Sequence, residues 1–168
     1  MKNNIITDHT LIINQLERSI KIHNWNSILP FLPKGSYLVG GYVRDIILGR
    51  MTEEVDVDIV VPLNAIEIGK KIAKSTTSKF IILDKKREVV RIFLNHISID
   101  IANQISSTIE GDLSSRDFSI NSIAFLFDKK CLLDPLNGSN KHFSSNKKAI
   151  EFIEKSLEFK SPLIEDET

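Results

Sequence analysis

The chain has 168 residues, 42% of them hydrophobic and 26% charged, which suits one domain with a full core and excludes extensive disorder or a repeat array. Its 22 basic and 22 acidic residues cancel, and this neutrality argues against strong binding of nucleic acid by the chain alone, although a local basic patch remains compatible with it. One cysteine excludes an intramolecular disulfide, and without a signal-peptide pattern or an apolar run of about 20 residues we expect a cytoplasmic protein with no membrane partner.

The apolar pattern predicts an amphipathic helix over residues 8–22, then a short strand at 37–39, a short helix at 42–48 and a strand at 55–61. The pair Asn64 and Glu67 indicates a capping box that opens a further helix. After it we expect three strands at 79–83, 88–94 and 97–101. A polar loop at 102–115, a hairpin over 122–133 and a last helix at 147–159 are expected to follow. Since tight links join neighbouring strands, the pattern predicts a mixed α/β protein whose single sheet is mainly antiparallel and flanked by helices.

Two glycines, Gly40 and Gly41, lie between the first strand and the second helix. Because glycine has no Cβ, backbone N–H groups there can approach an anion closely, and the helix N-terminus favours negative charge. Arg44, one turn into the helix, is placed to bind phosphate oxygens with two hydrogen bonds. Short glycine motifs are frequent, so a plain tight turn remains the alternative.

Three aspartates interrupt strands that are otherwise apolar. Asp56 and Asp58 project from the same face of their strand, where two carboxylates resist ionising together. A divalent cation removes that conflict, and Mg²⁺ is typically held by one or two carboxylates with substrate phosphates. Asp100 joins them if its strand lies beside 55–61, and the cluster could then hold two metal ions for an in-line displacement. A solvent-facing sheet edge is the alternative.

A polar segment near residue 120 carries Arg116, Asp117 and Asn121. Arg116 offers a cation for phosphate, while Asp117 and Asn121 share one face if the turn between them is helical. A local helix-capping network accounts for the same residues equally well. The segment alone does not decide between the two.

Together these motifs resemble the class II tRNA nucleotidyltransferase and bacterial poly(A) polymerase family. They are Gly-Gly-x-Val-Arg-Asp, Asp-x-Asp, Ile-Asp-Ile-Ala, Arg-Asp-Phe-Ser-Ile-Asn-Ser-Ile-Ala and Leu-Asp-Pro-Leu-Asn-Gly, in that order. The resemblance implies a polymerase-β-like nucleotidyltransferase fold and transfer of a nucleotide from an NTP (ATP or CTP) to an RNA 3′ end, most naturally that of tRNA, with release of pyrophosphate. It implies catalytic residues that hold two Mg²⁺ ions, namely Asp56, Asp58 and Asp100. It also implies nucleotide-binding residues, namely Gly40, Gly41, Arg44, Arg116, Asp117 and Asn121.

Two departures from the family pattern concern the site. Many members place the acidic pair two residues earlier, which would select Glu54 and Asp56. We prefer Asp56 and Asp58, because the β-rich residues 59–61 must follow the pair. In addition, Ser115 stands where the family usually has the first of two arginines, so one positive charge near the phosphates is missing.

A third departure concerns domain organisation. The resemblance places a head domain at 1–138, with the N-terminal helix 8–22 and a catalytic core at 36–138. Residues 139–168 are expected to be an extension or the start of a truncated neck, without the base-reading arginines of the family. Three functions stay open: an RNA nucleotidyltransferase head that works alone or with a separate chain supplying RNA-binding domains, a minimal nucleotidyltransferase acting on a protein or small molecule, and a non-catalytic NTP-binding remnant.

Overall fold

A computed structural model describes residues 9–22, 25–47, 55–116 and 121–135. The helices are α1 (His9–Ile22), α2 (Gly41–Ile47), α3 (Ala65–Thr76) and α4 (Ile109–Ser114). The strands are β1 (Tyr37–Val39), β2 (Val55–Val61), β3 (Lys79–Asp84), β4 (Val89–Leu94), β5 (Ile97–Asn103), β6 (Ala124–Leu126) and β7 (Cys131–Leu133). No helix in these ranges is long and apolar enough to cross a bilayer.

The strands form one sheet in the order β3-β4-β5-β2-β1-β6-β7. Every neighbouring pair is antiparallel except β2 and β5, which run parallel. Between β2 and β5 the chain passes through α3 and the β3–β4 pair, which is long enough to bring it back in the same direction. The mixed, mainly antiparallel sheet expected from the sequence is therefore present.

The two faces of the sheet differ in what covers them. On one face the odd-numbered residues of β2 join the main core, which α1, α2 and α3 cover with residues such as Leu16, Val43 and Ile72. On the other face Val60 packs into a smaller apolar cluster with Leu113 of α4. The remaining even-numbered positions of β2 on that second face are exposed, and both are aspartates.

Helix α3 is not capped as the sequence predicted. Asn64 has a left-handed backbone (φ 64°) and its side chain makes no capping hydrogen bond, so the expected capping box is wrong. Instead the backbone N–H of Ala65 donates to Asn103 Oδ1 at 2.9 Å, from the end of β5. Glu67 pairs with Lys71 on the exposed side of the helix. The cap comes from a residue 38 positions away, which local spacing cannot reveal.

We expect Asn103→Ala to lower the free energy of unfolding by about 1 kcal/mol, the usual effect of losing a helix cap. The substitution also removes the hydrogen bond from Asn103 Nδ2 to Glu88 Oε2. Asn64→Gly is the control, because glycine accepts the left-handed conformation readily and no side-chain cap is lost. Urea unfolding of both variants is the measurement, and equal stability of the two would contradict this assignment of the cap.

One predicted loop is partly structured. Within 102–115, β5 continues to Asn103 and α4 follows, with Thr108 Oγ1 accepting the N–H of Gly111 at its N-terminus. The strands predicted at 79–83, 88–94 and 97–101, and the hairpin, agree with the structure apart from their ends. The helix predicted at 147–159 lies outside the described residues.

Candidate functional site

Three predicted carboxylates converge on the open face of the sheet. Asp58 on β2 and Asp100 on β5 are direct partners across the parallel strand pair. Asp56 lies two residues earlier on the same face, where it is paired with Ser98. The buried apolar residues between them fix this direction, since successive side chains of a strand point to opposite faces. The strand that carries Asp100 therefore lies beside residues 55–61, as the prediction of an acidic cluster required.

The electrostatic environment of Asp58 opposes its own ionisation. Loss of solvation raises the pKa of Asp58 above its usual range, the charge of Asp100 raises it further, Arg116 opposes the rise, and Asp56 adds to it. A cation between the carboxylates would relieve this repulsion, and carboxylate oxygens are ligands that Mg²⁺ prefers. The chemistry of these side chains therefore suits magnesium. Within the described residues, no three acidic, His or Cys side chains are already arranged around a metal position.

Asp100 is turned toward Arg91, a residue that the sequence analysis missed. Arg91 on β4 is the direct partner of Asp100, and its Nε and Nη2 donate to the two carboxylate oxygens at 2.6 and 2.8 Å. This double hydrogen bond raises the pKa of Arg91 and fixes the plane of the carboxylate. A signal was available, because Arg91 interrupts an apolar strand in the same way as the three aspartates do.

The glycine turn lies directly against Asp58. Val39, the last residue of β1, is the β1 partner of Asp58, and Gly40 follows with φ +84°. A Cβ built on Gly40 would lie 2.6 Å from Asp58 Oδ2, closer than real side chains allow. Glycine is therefore required at this position both by the backbone conformation and by the close approach of the carboxylate.

Helix α2 joins the glycine turn to a second predicted segment. Arg44 folds back over the turn, so that its Nη2 lies 3.3 Å from where a Cβ on Gly41 would be. Its Nε donates to Asp45 Oδ1 at 2.9 Å and its Nη1 to Asn121 Oδ1 at 3.3 Å. Gly41 and Arg44 at the start of α2 are thus linked to Asn121, which lies 77 positions after Arg44 in the sequence.

Arg116 stands just beyond α4 and is held by a second missed residue, Asp112. Asp112 is buried, accepts the N–H of Ile105 at 3.0 Å, and faces Arg116 Nη2 at 3.5 Å. Arg116 Nε is buried and has no hydrogen-bond partner among the described residues. The spacing of four residues between Asp112 and Arg116 was visible in the sequence. Asp117 and Glu54 lie outside the described residues.

The sequence of the chain is similar to those of a known protein family. The family model described as the Poly A polymerase head domain matches residues 36–145. A CC-adding tRNA nucleotidyltransferase of Synechocystis sp. is 44% identical over 110 residues, which are 66% of this chain and 26% of that protein. The chain spans about a quarter of the length of the curated relatives it matches.

The chain is also similar to solved structures of CCA-adding enzymes. A CCA-adding enzyme in complex with ATP aligns with a TM-score of 0.55 and 37% identity, over 62% of this chain and 26% of that one. The Thermotoga maritima CCA-adding enzyme complexed with tRNA aligns with a TM-score of 0.54 and 39% identity, over 61% of this chain and 25% of that one.

Proposed function

The chain belongs to the poly(A) polymerase head domain family, and from that premise we propose that it transfers a nucleotide from an NTP to the 3′ end of an RNA, with release of pyrophosphate. Membership also confirms the nucleotidyltransferase fold that the motifs implied. The observation that carries the proposal is the meeting of Asp58 and Asp100 with the glycine turn at Gly40. That arrangement places an acidic cluster beside a backbone suited to phosphate.

The acidic cluster would hold the metal ions of the reaction, with Asp56, Asp58 and Asp100 as ligands for two Mg²⁺. Ions bound there would lower the pKa of the RNA 3′-hydroxyl and balance the charge of the departing pyrophosphate. Asp58 has the central place, because it touches both the turn at Gly40 and the strand that carries Asp100. Arg91 keeps the Asp100 carboxylate oriented.

The other residues would bind the NTP. The backbone at Gly40 and Gly41 and the guanidinium of Arg44 would receive the triphosphate, with Asn121 holding Arg44 in place. Arg116 would add the further positive charge, and its buried Nε has no hydrogen-bond partner among the residues that the structure describes. Asp117 belongs to the same nucleotide-binding set. These groups bind and orient, and phosphoryl transfer depends mostly on such positioning and charge stabilisation.

We propose tRNA as the RNA, since both the relative and the solved complex are named for it, and ATP or CTP as the NTP. The balance of 22 basic and 22 acidic residues gives the chain little general attraction for RNA. We therefore include in the proposal a separate chain that contributes RNA-binding surface, and we place the reaction in the cytoplasm.

Labelled ATP or CTP, offered with Mg²⁺, tRNA lacking its 3′ end and total cell protein, tests this function. We expect label in the tRNA and none with Asp56→Ala. Label in protein instead would favour a nucleotidyltransferase with a protein acceptor, and label that persists in Asp56→Ala would contradict the placement of the chemistry.

We expect Arg91→Gln to make the stability of the protein depend more strongly on Mg²⁺. The substitution removes one cation beside the carboxylates while leaving the side chain long and polar, so the repulsion between Asp58 and Asp100 is less well compensated. The rise in Tm on adding Mg²⁺ should then exceed that of the wild type. Arg87→Gln is the control. The Arg87 side chain is 78% exposed, and its Nε lies as far as 3.9 Å from Asp84 Oδ2, so this ion pair contributes little. Equal responses to Mg²⁺ in all three proteins would contradict the expectation.

A further inference from the structure

A cavity of about 260 Å³ lies beside the carboxylates, at the turn that joins β4 and β5. Asp56, Phe93, His96 and Ser98 are among the residues that line it. Its volume falls just below the roughly 300–1,000 Å³ of pockets that hold whole small molecules. The cavity therefore suits part of a larger ligand, of about the size of one nucleoside.

The cavity continues the face that carries the acidic cluster. Phe93 on β4 is the partner of Ser98 on β5, and Ser98 is the partner of Asp56 on β2. These three side chains form a row across the sheet, one step from the row of Arg91, Asp100 and Asp58. A ligand in the cavity would thus lie next to the proposed metal site.

The position of the cavity relative to the glycine turn indicates which substrate the cavity suits. The turn follows β1, which borders β2 on one side, whereas β5 borders β2 on the other side and β4 lies beyond β5. In an in-line displacement the attacking hydroxyl enters opposite the departing pyrophosphate. If the triphosphate lies over Gly40 and Gly41, the hydroxyl must come from the side of β5 and β4, where the cavity is.

The chemistry of the lining also suits a nucleoside. Phe93 exposes 37% of its surface on this polar face, and Lys79 Nζ lies 5.6 Å from the centre of its ring. Proteins bind single-stranded nucleic acid by combining an aromatic ring, on which a base stacks, with cations that follow the backbone. An aromatic ring and a cation are both present here, because Lys79 on β3 is the direct partner of Phe93 on β4.

We propose that this cavity binds the 3′-terminal nucleoside of the RNA acceptor, with Phe93 stacking on the base and Lys79 meeting its phosphate. The inference rests on the proposed function and adds to it the place from which the 3′-hydroxyl reaches the carboxylates. His96 and Ser98 line the sides of the same space and supply polar groups for the ribose.

Two variants of Phe93 test the role of the ring. Phe93→Leu keeps an apolar side chain but removes the aromatic face, and Phe93→Trp keeps a stacking surface. Base stacking on an aromatic side chain is commonly worth enough to change affinity by about tenfold or more. We therefore expect Phe93→Leu to weaken binding of a tRNA lacking its 3′ end by about tenfold, and Phe93→Trp to retain it. Leu83→Ala, an exposed apolar residue of β3, is the matched control and should bind as the wild type does.

Two further measurements separate this inference from the proposed function. Binding of a non-hydrolysable ATP analogue with Mg²⁺, measured without RNA, should be the same in Phe93→Leu as in the wild type. An acceptor RNA ending in 4-thiouridine should crosslink to the segment 93–98 on irradiation. Unchanged RNA affinity in Phe93→Leu, or an equal loss of ATP-analogue binding, would overturn the inference while leaving the proposed function intact. A wild type that binds neither ligand would overturn both.

Discussion

Asp58→Asn is expected to reduce nucleotide incorporation by about a thousandfold or more, since metal stabilisation supplies several kcal/mol of the barrier reduction and each 1.4 kcal/mol is a factor of ten. Asparagine has nearly the same shape but cannot supply the negative charge that holds a metal ion. Asp58 is the carboxylate that adjoins both Gly40 and Asp100. The rate of extension of tRNA lacking its 3′ end, at saturating NTP and Mg²⁺, is the measurement.

The same variant should not lose stability in the absence of metal. Partial loss of solvation and the charge of Asp100 raise the pKa of Asp58, which means that the folded protein disfavours its ionised form. A neutral side chain removes that penalty, so the Tm of Asp58→Asn without Mg²⁺ should equal or exceed that of the wild type. Glu67→Gln removes one charge from an exposed ion pair on α3 and should change neither quantity. Loss of activity together with unfolding would instead indicate a structural role for Asp58.

Gly40→Ala is expected to lower the rate of incorporation by about a hundredfold, because small displacements of reacting groups can have effects of that size. A Cβ at this position would lie 2.6 Å from Asp58 Oδ2 and must push the carboxylate out of place. The positive φ of +84° adds backbone strain of roughly 1–2 kcal/mol. The variant should therefore be both less stable and much less active.

Gly35→Ala separates these two effects. Gly35 has nearly the same backbone conformation, with φ +83°, but its added Cβ would meet only Pro62 at an ordinary distance of 3.4 Å. Both variants should lose a similar amount of stability from strain, whereas only Gly40→Ala should lose most of its activity. Equal activity of the two variants, measured below the Tm of each, would contradict the role given to the contact between Gly40 and Asp58.

Much of the fold, and the positions of the candidate residues on their strands, could be predicted because the deciding signals are local. Alternation of apolar residues with Asp56 and Asp58 fixes both the strand and the face from which the carboxylates project. The two glycines after a short apolar strand likewise mark a turn into a helix. These features depend on residues within one element, and the structure has them where the pattern puts them.

The remaining features depend on partners distant in sequence. The Asn103 cap, the Arg91 pair and the link from Arg44 to Asn121 join residues 38, 9 and 77 positions apart. Each becomes visible only once the order of the strands is known, and that order includes a parallel pair which tight turns do not predict. From the sequence, Asp100 could join the other aspartates only if its strand lay beside residues 55–61. The pairing of β2 with β5 places it there.

Calorimetric titration with a non-hydrolysable ATP analogue, with and without Mg²⁺, tests most directly whether the carboxylates and the glycine turn form one metal-dependent nucleotide site. We expect binding that requires Mg²⁺, that disappears in Asp56→Ala, and that survives in Glu67→Gln. Binding of equal strength without Mg²⁺, or full binding in Asp56→Ala, would show that the nucleotide is held elsewhere and would contradict the account.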